Sequence, residues 1–210
     1  IAQVASSQYG GQSISLAHLA PFVDVSRKLF EKHVLSDLQD SGVHITPEKL
    51  KHVIDKQLKR EIAAGVQTIQ YQLITLMTTN GQTPFVTIYI HLDEAAEGQT
   101  RDDLAMIAEE MLKQRIDGIE SEDGTKITPA FPKIIYVLDE DNVRAGSKYW
   151  ALTKLAAKCT AKRLVPDYIS AKVMRDIKNG NVFTCMGCRS FLSVYEDENG
   201  SPKFYGRFNQ

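Results

Sequence analysis

Cys185 and Cys188 stand in the run Cys185-Met186-Gly187-Cys188-Arg189-Ser190-Phe191-Leu192, and they carry the redox chemistry that the residue types of this chain suggest. By spacing, a C-x-x-C pair points to zinc or to a dithiol. Zinc needs two further ligands, and the third cysteine, Cys159, falls in a helical pattern with no second pair. A thioredoxin-like dithiol sits at a helix N-terminus, where the dipole lowers the thiol pKa. Here residues 191–195 are apolar and strand-like instead. Two buried, inert thiols are the third reading. Spacing alone leaves all three open.

A carboxamide comes close to this pair through a hairpin. Asn199-Gly200 favours a two-residue type I′ turn, with residues 193–195 and 204–208 as its arms. That register sets Glu198 against Ser201 and Asn209 against Ser190, which makes Cys188 a diagonal neighbour of Asn209 at roughly 7 Å. A thiol on a glycine turn beside an amide that can hydrogen-bond a hydroxyl would form a reaction centre. The amide cannot titrate, so it can orient a substrate but cannot act as a general base.

Other polar groups have weaker signals. Asn80-Gly81-Gln82 precedes a strand and could contact a nucleotide through backbone N–H groups, although turn chemistry alone explains it. Ser6 and Ser7, ahead of Tyr9-Gly10-Gly11, could bring hydroxyls to a site or simply connect two elements. Asp139-Glu140-Asp141 follows an apolar run, where carboxylates could hold Mg²⁺ at the ends of parallel strands; a solvated acidic loop is the simpler reading. His91 and Asp93 have no third ligand near them in sequence, so no metal site is assigned.

The elements that position these groups follow from periodicity. Residues 14–38 have helical spacing interrupted at Pro21, and Thr46-Pro47-Glu48 has the order of a helix start, with an apolar face at Leu50, Val53, Ile54, Leu58 and Ile62. This helix runs on toward Met77, and its face is core or dimer interface. Residues 85–92 and 134–138 read as buried strands. Between them, Thr100 and Asp103 resemble a capping box for a helix over 100–114. Residues 148–163 and 169–178 are helical by pattern, the latter closed by Asn179-Gly180 as a left-handed cap, and 182–186 is a third strand candidate. Strands separated by long helical crossovers predict a parallel sheet with helices outside, an α/β fold in one continuous unit.

Composition narrows the class. Of the 210 residues, 43% are apolar and 24% charged, the values of a folded domain rather than a disordered chain. A net charge of −1 with dispersed Lys and Arg gives no basic stripe, so no nucleic-acid polymer is expected as a partner. No apolar run approaches the ~20 residues that cross a bilayer, and three cysteines make no disulfide framework, which together suggest a cytoplasmic protein with reduced thiols. The chain opens on Ile1 and stops at Gln210 in strand-like sequence, so it is expected to be a piece of a larger enzyme.

Taken together, several segments resemble the anaerobic (class III) ribonucleoside-triphosphate reductases, a glycyl radical enzyme family. They are the run from Cys185 to Leu192, Glu196-Asp197-Glu198-Asn199-Gly200, Phe204-Tyr205-Gly206-Arg207-Phe208-Asn209, the stretch from Ile1 to Gly11, and Thr78-Thr79-Asn80-Gly81-Gln82-Thr83-Pro84-Phe85. They span nearly the whole chain in the family's order. The resemblance implies a ten-stranded α/β barrel, made of two antiparallel halves of five parallel strands, with a finger loop through its centre. Residues 1–210 would supply the first half of that catalytic domain and end in the finger loop.

By the same resemblance Cys188 carries the thiyl radical that takes the ribose 3′-hydrogen, and Asn209 is a carboxamide near the ribose hydroxyls where aerobic relatives place a carboxylate. Formate would be the reductant. Cys185 has no role in the family's pattern. The glycyl radical, the C-terminal zinc-binding cysteines, a second active-site cysteine and the N-terminal nucleotide-binding cone would lie outside these residues, so the fragment alone should be inactive. The implied partners are a radical-S-adenosylmethionine activating enzyme, nucleoside triphosphate substrates, ATP and deoxynucleotide effectors acting allosterically, and a second subunit in a homodimer. Such an enzyme supplies deoxyribonucleotides for DNA replication. A non-catalytic nucleotide-binding homologue that keeps the barrel half is the alternative, and a zinc-binding module through Cys185 and Cys188 is a third.

Overall fold

In the computed structural model the described residues are 12–76, 81, 83–120, 123–185, 194–196 and 199–204, with backbone alone considered at 194–196 and 202–204. Four strands form one parallel sheet: β1 (Gln12–Ser15), β2 (Val86–Ile90), β5 (Lys133–Leu138) and β6 (Asp167–Ser170), in the order β1-β2-β5-β6. Registers are even, with Ser13 beside Thr87, Ile88 beside Ile134 and Val137 beside Ile169. Every residue of β2 is buried, as expected of a β-branched run covered on both faces. The parallel α/β architecture expected from sequence is present. Four strands are compatible with part of an α/β barrel.

Helices α1 (Ala20–Ser41) and α2 (Pro47–Thr75) connect β1 to β2, α3 (Gln99–Asp117) follows β2, α4 (Trp150–Arg163) joins β5 to β6, and the short α5 (Ala171–Ile177) follows β6. The start of α2 is as its sequence predicts. Thr46 caps it by accepting from the Lys49 N–H at 3.4 Å, and Pro47 occupies the first turn, where its missing N–H costs nothing. Pro21 likewise marks the beginning of α1 and sets it apart from a short 3-10 helix at Leu16–Leu19, as its sequence predicts. Left-handed Gly42 closes α1, and Asn179 and Gly180 both take positive φ after α5, as their types predict.

Strand alternation divides the core. Ile88, Ile90, Ile134 and Tyr136 point to the helical layer and pack with Leu58, Leu104 and Met111. Tyr89, Ile135 and Val137 point the other way, where Ala171, Met174 and Cys185 cover them. Helices α1 to α4 thus cover one face of the sheet, and α5 with the segment 182–185 lies against the other.

Several sequence expectations are corrected. β1 lies where a helix was expected to begin: Gln12-Ser13-Ile14-Ser15 has one large apolar residue, so helical spacing extends falsely back to Ile14. The last parallel strand is β6 at Asp167–Ser170, and residues 182–185 form no strand. Thr100 and Asp103 make no capping box, because the cap of α3 is Gly98. Asp103 instead faces inward, fully buried, and accepts from Arg27 of α1 and from Gln99. A short antiparallel pair, β3 (Ile119–Glu120) with β4 (Lys126–Ile127), precedes β5.

The last hairpin is present with a different register. β7 (Val194–Glu196) pairs with β8 (Pro202–Phe204) so that Glu196 faces Pro202 and Val194 faces Phe204. The two-residue turn would have put Tyr195 against Phe204. The connection is therefore longer, and because a one-residue slip exchanges the faces of a strand, the expected diagonal between Cys188 and Asn209 does not follow from it.

Candidate active site

Parity brings one set of polar side chains together at the carboxyl ends of the strands. On the face that α5 covers, the odd-numbered residues of β2 and β5 include Thr87, Tyr89, Ile135 and Val137, and the alternation continues beyond the strands to His91 and Asp139. Open α/β sheets place their ligands at this edge.

His91 Nε2 lies 3.2 Å from Asp139 Oδ2, and both side chains are largely buried. Arg175 of α5 grips the same carboxylate with two donors, Nη1 to Oδ1 at 2.8 Å and Nη2 to Oδ2 at 2.7 Å, and reaches Asp93 at 3.5 Å. Arg101 of α3 donates to Asp93 at 2.9 Å and to the Ala95 carbonyl, and its Nη1 lies 3.6 Å from Asp141. Ser15, at the end of β1, donates to Glu94. Loops after three adjacent strands are thereby tied to α3 and α5.

This corrects the reading of His91 and Asp93 as lacking a third ligand. One ligand atom each of His91, Asp93 and Asp139 lies within 4.8 Å of the others, the one such group among the described residues. The guanidinium of Arg175, however, already neutralises Asp139 in a bidentate pair. A cation would have to displace it, so the geometry favours ion-paired support of the loops over a metal centre. Nor is 139–141 a solvated acidic loop. Asn142 is fully buried, accepting from the Asp139 N–H and donating to the Val137 carbonyl, and both Asp141 carboxylate oxygens are buried without a hydrogen-bond partner. Burial raises the Asp141 pKa.

Asp139 is held well ionised. Burial alone would raise its pKa, but the Arg175 pair, the Glu140 N–H and His91 outweigh that and bring it to about 2, against an ordinary 3.8. A depressed carboxylate contributes stability at pH above its unfolded value and loses it as the pH falls through the folded one. Asp139→Asn should therefore cost about 1–2 kcal/mol at neutral pH, with the gap to the unmodified chain closing between roughly pH 4 and 2. Urea unfolding of both chains across that range checks this, and a gap unchanged down to about pH 2 would contradict it.

Cys185 is fully buried with Tyr89, Ile135, Val137, Ala171 and Met174, and its thiol lies 3.7 Å from the Phe183 carbonyl. Burial pushes its pKa up to about 12, so it stays a neutral thiol and not a thiolate ligand or nucleophile. Cys159 is likewise buried and free, its pKa raised by burial. Cys185→Ala should cost about 1–2 kcal/mol by the small cavity left, measured by urea unfolding; no loss would contradict tight packing there.

Of the residues singled out in sequence, Gly81 is described, with the positive φ of a turn glycine. Cys188, Asn209, Asn80, Gln82, Ser6 and Ser7 lie outside the described residues. What sequence reasoning missed is the pairing of His91 with Asp139 and Arg175, together with Ser13 and Tyr89. Position at or just past a parallel strand on the odd face is the signal that could have found them. No described helix is long and apolar enough to cross a membrane.

Comparison with known proteins agrees with the resemblance. Residues 1–210 match the family described as anaerobic ribonucleoside-triphosphate reductase. The protein of that name from Enterobacteria phage T4 is 35% identical over 212 residues, covering 99% of this chain and 32% of the relative. Those from Escherichia coli (strain K12) and Haemophilus influenzae are each 34% identical, covering 100% of this chain and 27% of theirs. The chain spans about a third or less of the length of these relatives.

Proposed function

The chain belongs to the anaerobic ribonucleoside-triphosphate reductase family, and from that premise we propose that it forms part of the catalytic barrel of an enzyme reducing ribonucleoside triphosphates to deoxyribonucleoside triphosphates by radical chemistry. The observation that carries this reading is the family match over all 210 residues, including the run around Cys188 and the one ending at Asn209. The parallel sheet, with a polar edge at its carboxyl ends, α1 to α4 on one face and α5 on the other, is compatible with such a barrel half.

The family's pattern implies Cys188 as the hydrogen acceptor, and the sealing of Cys185 among apolar side chains supports that choice between the two thiols of the motif. On this reading a glycyl radical outside this chain supplies the unpaired electron. The Cys188 sulfur then takes the 3′-hydrogen of the ribose, and the 2′-hydroxyl takes a proton from solvent and leaves as water from a sugar whose C–O bond is weakened by the neighbouring radical. Formate supplies the hydrogen and electron that replace it and ends as carbon dioxide, and Cys188 returns its hydrogen to C3′. Asn209 holds the ribose hydroxyls by hydrogen bonds without exchanging a proton.

The remaining parts of the proposal concern the whole protein. A radical-S-adenosylmethionine activating enzyme, deoxynucleotide and ATP effectors, zinc held by cysteines outside this chain, and a cytoplasmic location belong to it. The finger loop is the expected continuation of residues 182–185. Phe22, Val25 and Leu29 are exposed on one side of α1, which supports a homodimer. The test is to activate the intact parent protein anaerobically and follow deoxynucleoside triphosphate formation with formate present and absent. Formate-dependent product is expected; nucleotide binding without product would favour a non-catalytic homologue.

A further inference from the structure

Residues 183–185 are fastened to the α5-bearing face of the sheet by side chains of two different strands. The Ser13 hydroxyl of β1 donates to the Cys185 carbonyl at 2.6 Å, and the Tyr89 hydroxyl of β2 donates to the Phe183 carbonyl at 3.2 Å. The Phe183 N–H meets the Met174 sulfur of α5 at 3.0 Å, and the Cys185 side chain is sunk between strand and helix residues. Residues 182–185 pair with no strand among the described residues, and these contacts hold their backbone to the sheet. Ser13 and Tyr89 are on neighbouring strands and share the odd face, so they hold consecutive points of one segment.

From this geometry we infer that Ser13 and Tyr89 are positioning residues for the reaction: they fix residues 183–185 against the sheet and thereby set where Cys188 is presented to the ribose. The inference rests on the proposal that Cys188 is the hydrogen-abstracting residue. Cys188 is three positions beyond Cys185, so chain connectivity limits the separation of their Cα atoms to roughly 11 Å, and an anchor at Cys185 restricts the position of the thiol. Hydrogen transfer between sulfur and carbon needs the two atoms near contact, and a displacement of about 1 Å can cost about 10²-fold in rate. Cys185 acquires a role in the same account. Its buried side chain seats the segment while its carbonyl receives the Ser13 bond, and neither requires its thiol to react.

The test uses the intact parent enzyme carrying Ser13→Ala and Tyr89→Phe, singly and together. Tyr89→Phe keeps the ring packing and removes the donor, and the single variants serve if the pair fails to fold. Expected is a fall in kcat of about tenfold or more in the double variant, with KM for the nucleoside triphosphate changed less than twofold. Ser13→Thr, which keeps the hydroxyl, should restore most of the rate. A readout independent of turnover accompanies it: in the unactivated protein, amide exchange across 183–190 should quicken at least about tenfold. Unchanged kcat and unchanged exchange would overturn the inference while Cys188→Ser still abolished reduction. If Cys188→Ser retained activity, the underlying reading would fail instead, whatever the anchor variants did.

Discussion

In the intact enzyme Cys188→Ser should abolish nucleotide reduction, by more than ~10⁴-fold, while folding and nucleotide binding stay near those of the unmodified protein. A hydroxyl is nearly the size of a thiol, yet its O–H bond is far stronger than S–H. An oxygen radical at that position would not form from the same precursor, and the serine cannot take part in a reversible hydrogen exchange with the sugar. The effect is therefore on chemistry and not on binding: product formation should vanish with little change in nucleotide affinity measured by equilibrium titration. Cys185→Ser, by contrast, should be mild in activity, because its sulfur is sealed from substrate and its thiol has no assigned reaction. Equal loss in both variants would return the pair to the zinc or dithiol readings.

The largest expected effect on stability is at Asp103. Its carboxylate is fully buried between α1 and α3 and is bound by both Nη atoms of Arg27 and by Gln99. Arg27→Ala would leave a buried charge without its main partner, at a cost of about 3–5 kcal/mol. Asp103→Ala should cost somewhat less, since the Arg27 side chain is partly exposed and can be solvated. Replacing both together, Arg27→Met with Asp103→Leu, should recover much of the loss, because a buried pair often stabilises little relative to apolar residues that fill the same space. Urea unfolding of the unmodified chain, Arg27→Met, Asp103→Leu and the double variant forms a double-mutant cycle, and additive losses would show that the pair is not coupled.

Much of this fold is legible in the sequence where one physical signal dominates. Residues 86–90 and 133–138 are runs rich in β-branched and aromatic residues, and Thr46-Pro47-Glu48 states a helix start in three residues; all appear where expected. β1 and β6 were obscured for a common reason. Each is four residues long, contains polar side chains, and runs directly into a helical segment, so a window of helical spacing absorbs it. Asp103 misled because a carboxylate near a helix start has two uses, capping and pairing, and only the position of Arg27 decides between them. The site separates along similar lines. Cys188 and Asn209 come from motif resemblance, which needs no geometry, whereas Asp139 with His91 and Arg175 spans residues distant in sequence and is assembled only by the parallel register.

That register also links the two halves of the account. The odd face that carries Ser13 and Tyr89 to the segment before Cys188 is the one that carries His91 and Asp139 to the carboxyl edge, so anchor and edge are built from the same alternation. The most direct measurement is the reduction of a nucleoside triphosphate deuterated at C3′ by the activated parent enzyme. Abstraction and return of that hydrogen by Cys188 predicts a primary isotope effect on reduction, with the label largely retained at C3′ of the deoxynucleotide. Deoxynucleotide formed with no isotope effect in single-turnover chemistry and no dependence on Cys188 would contradict it.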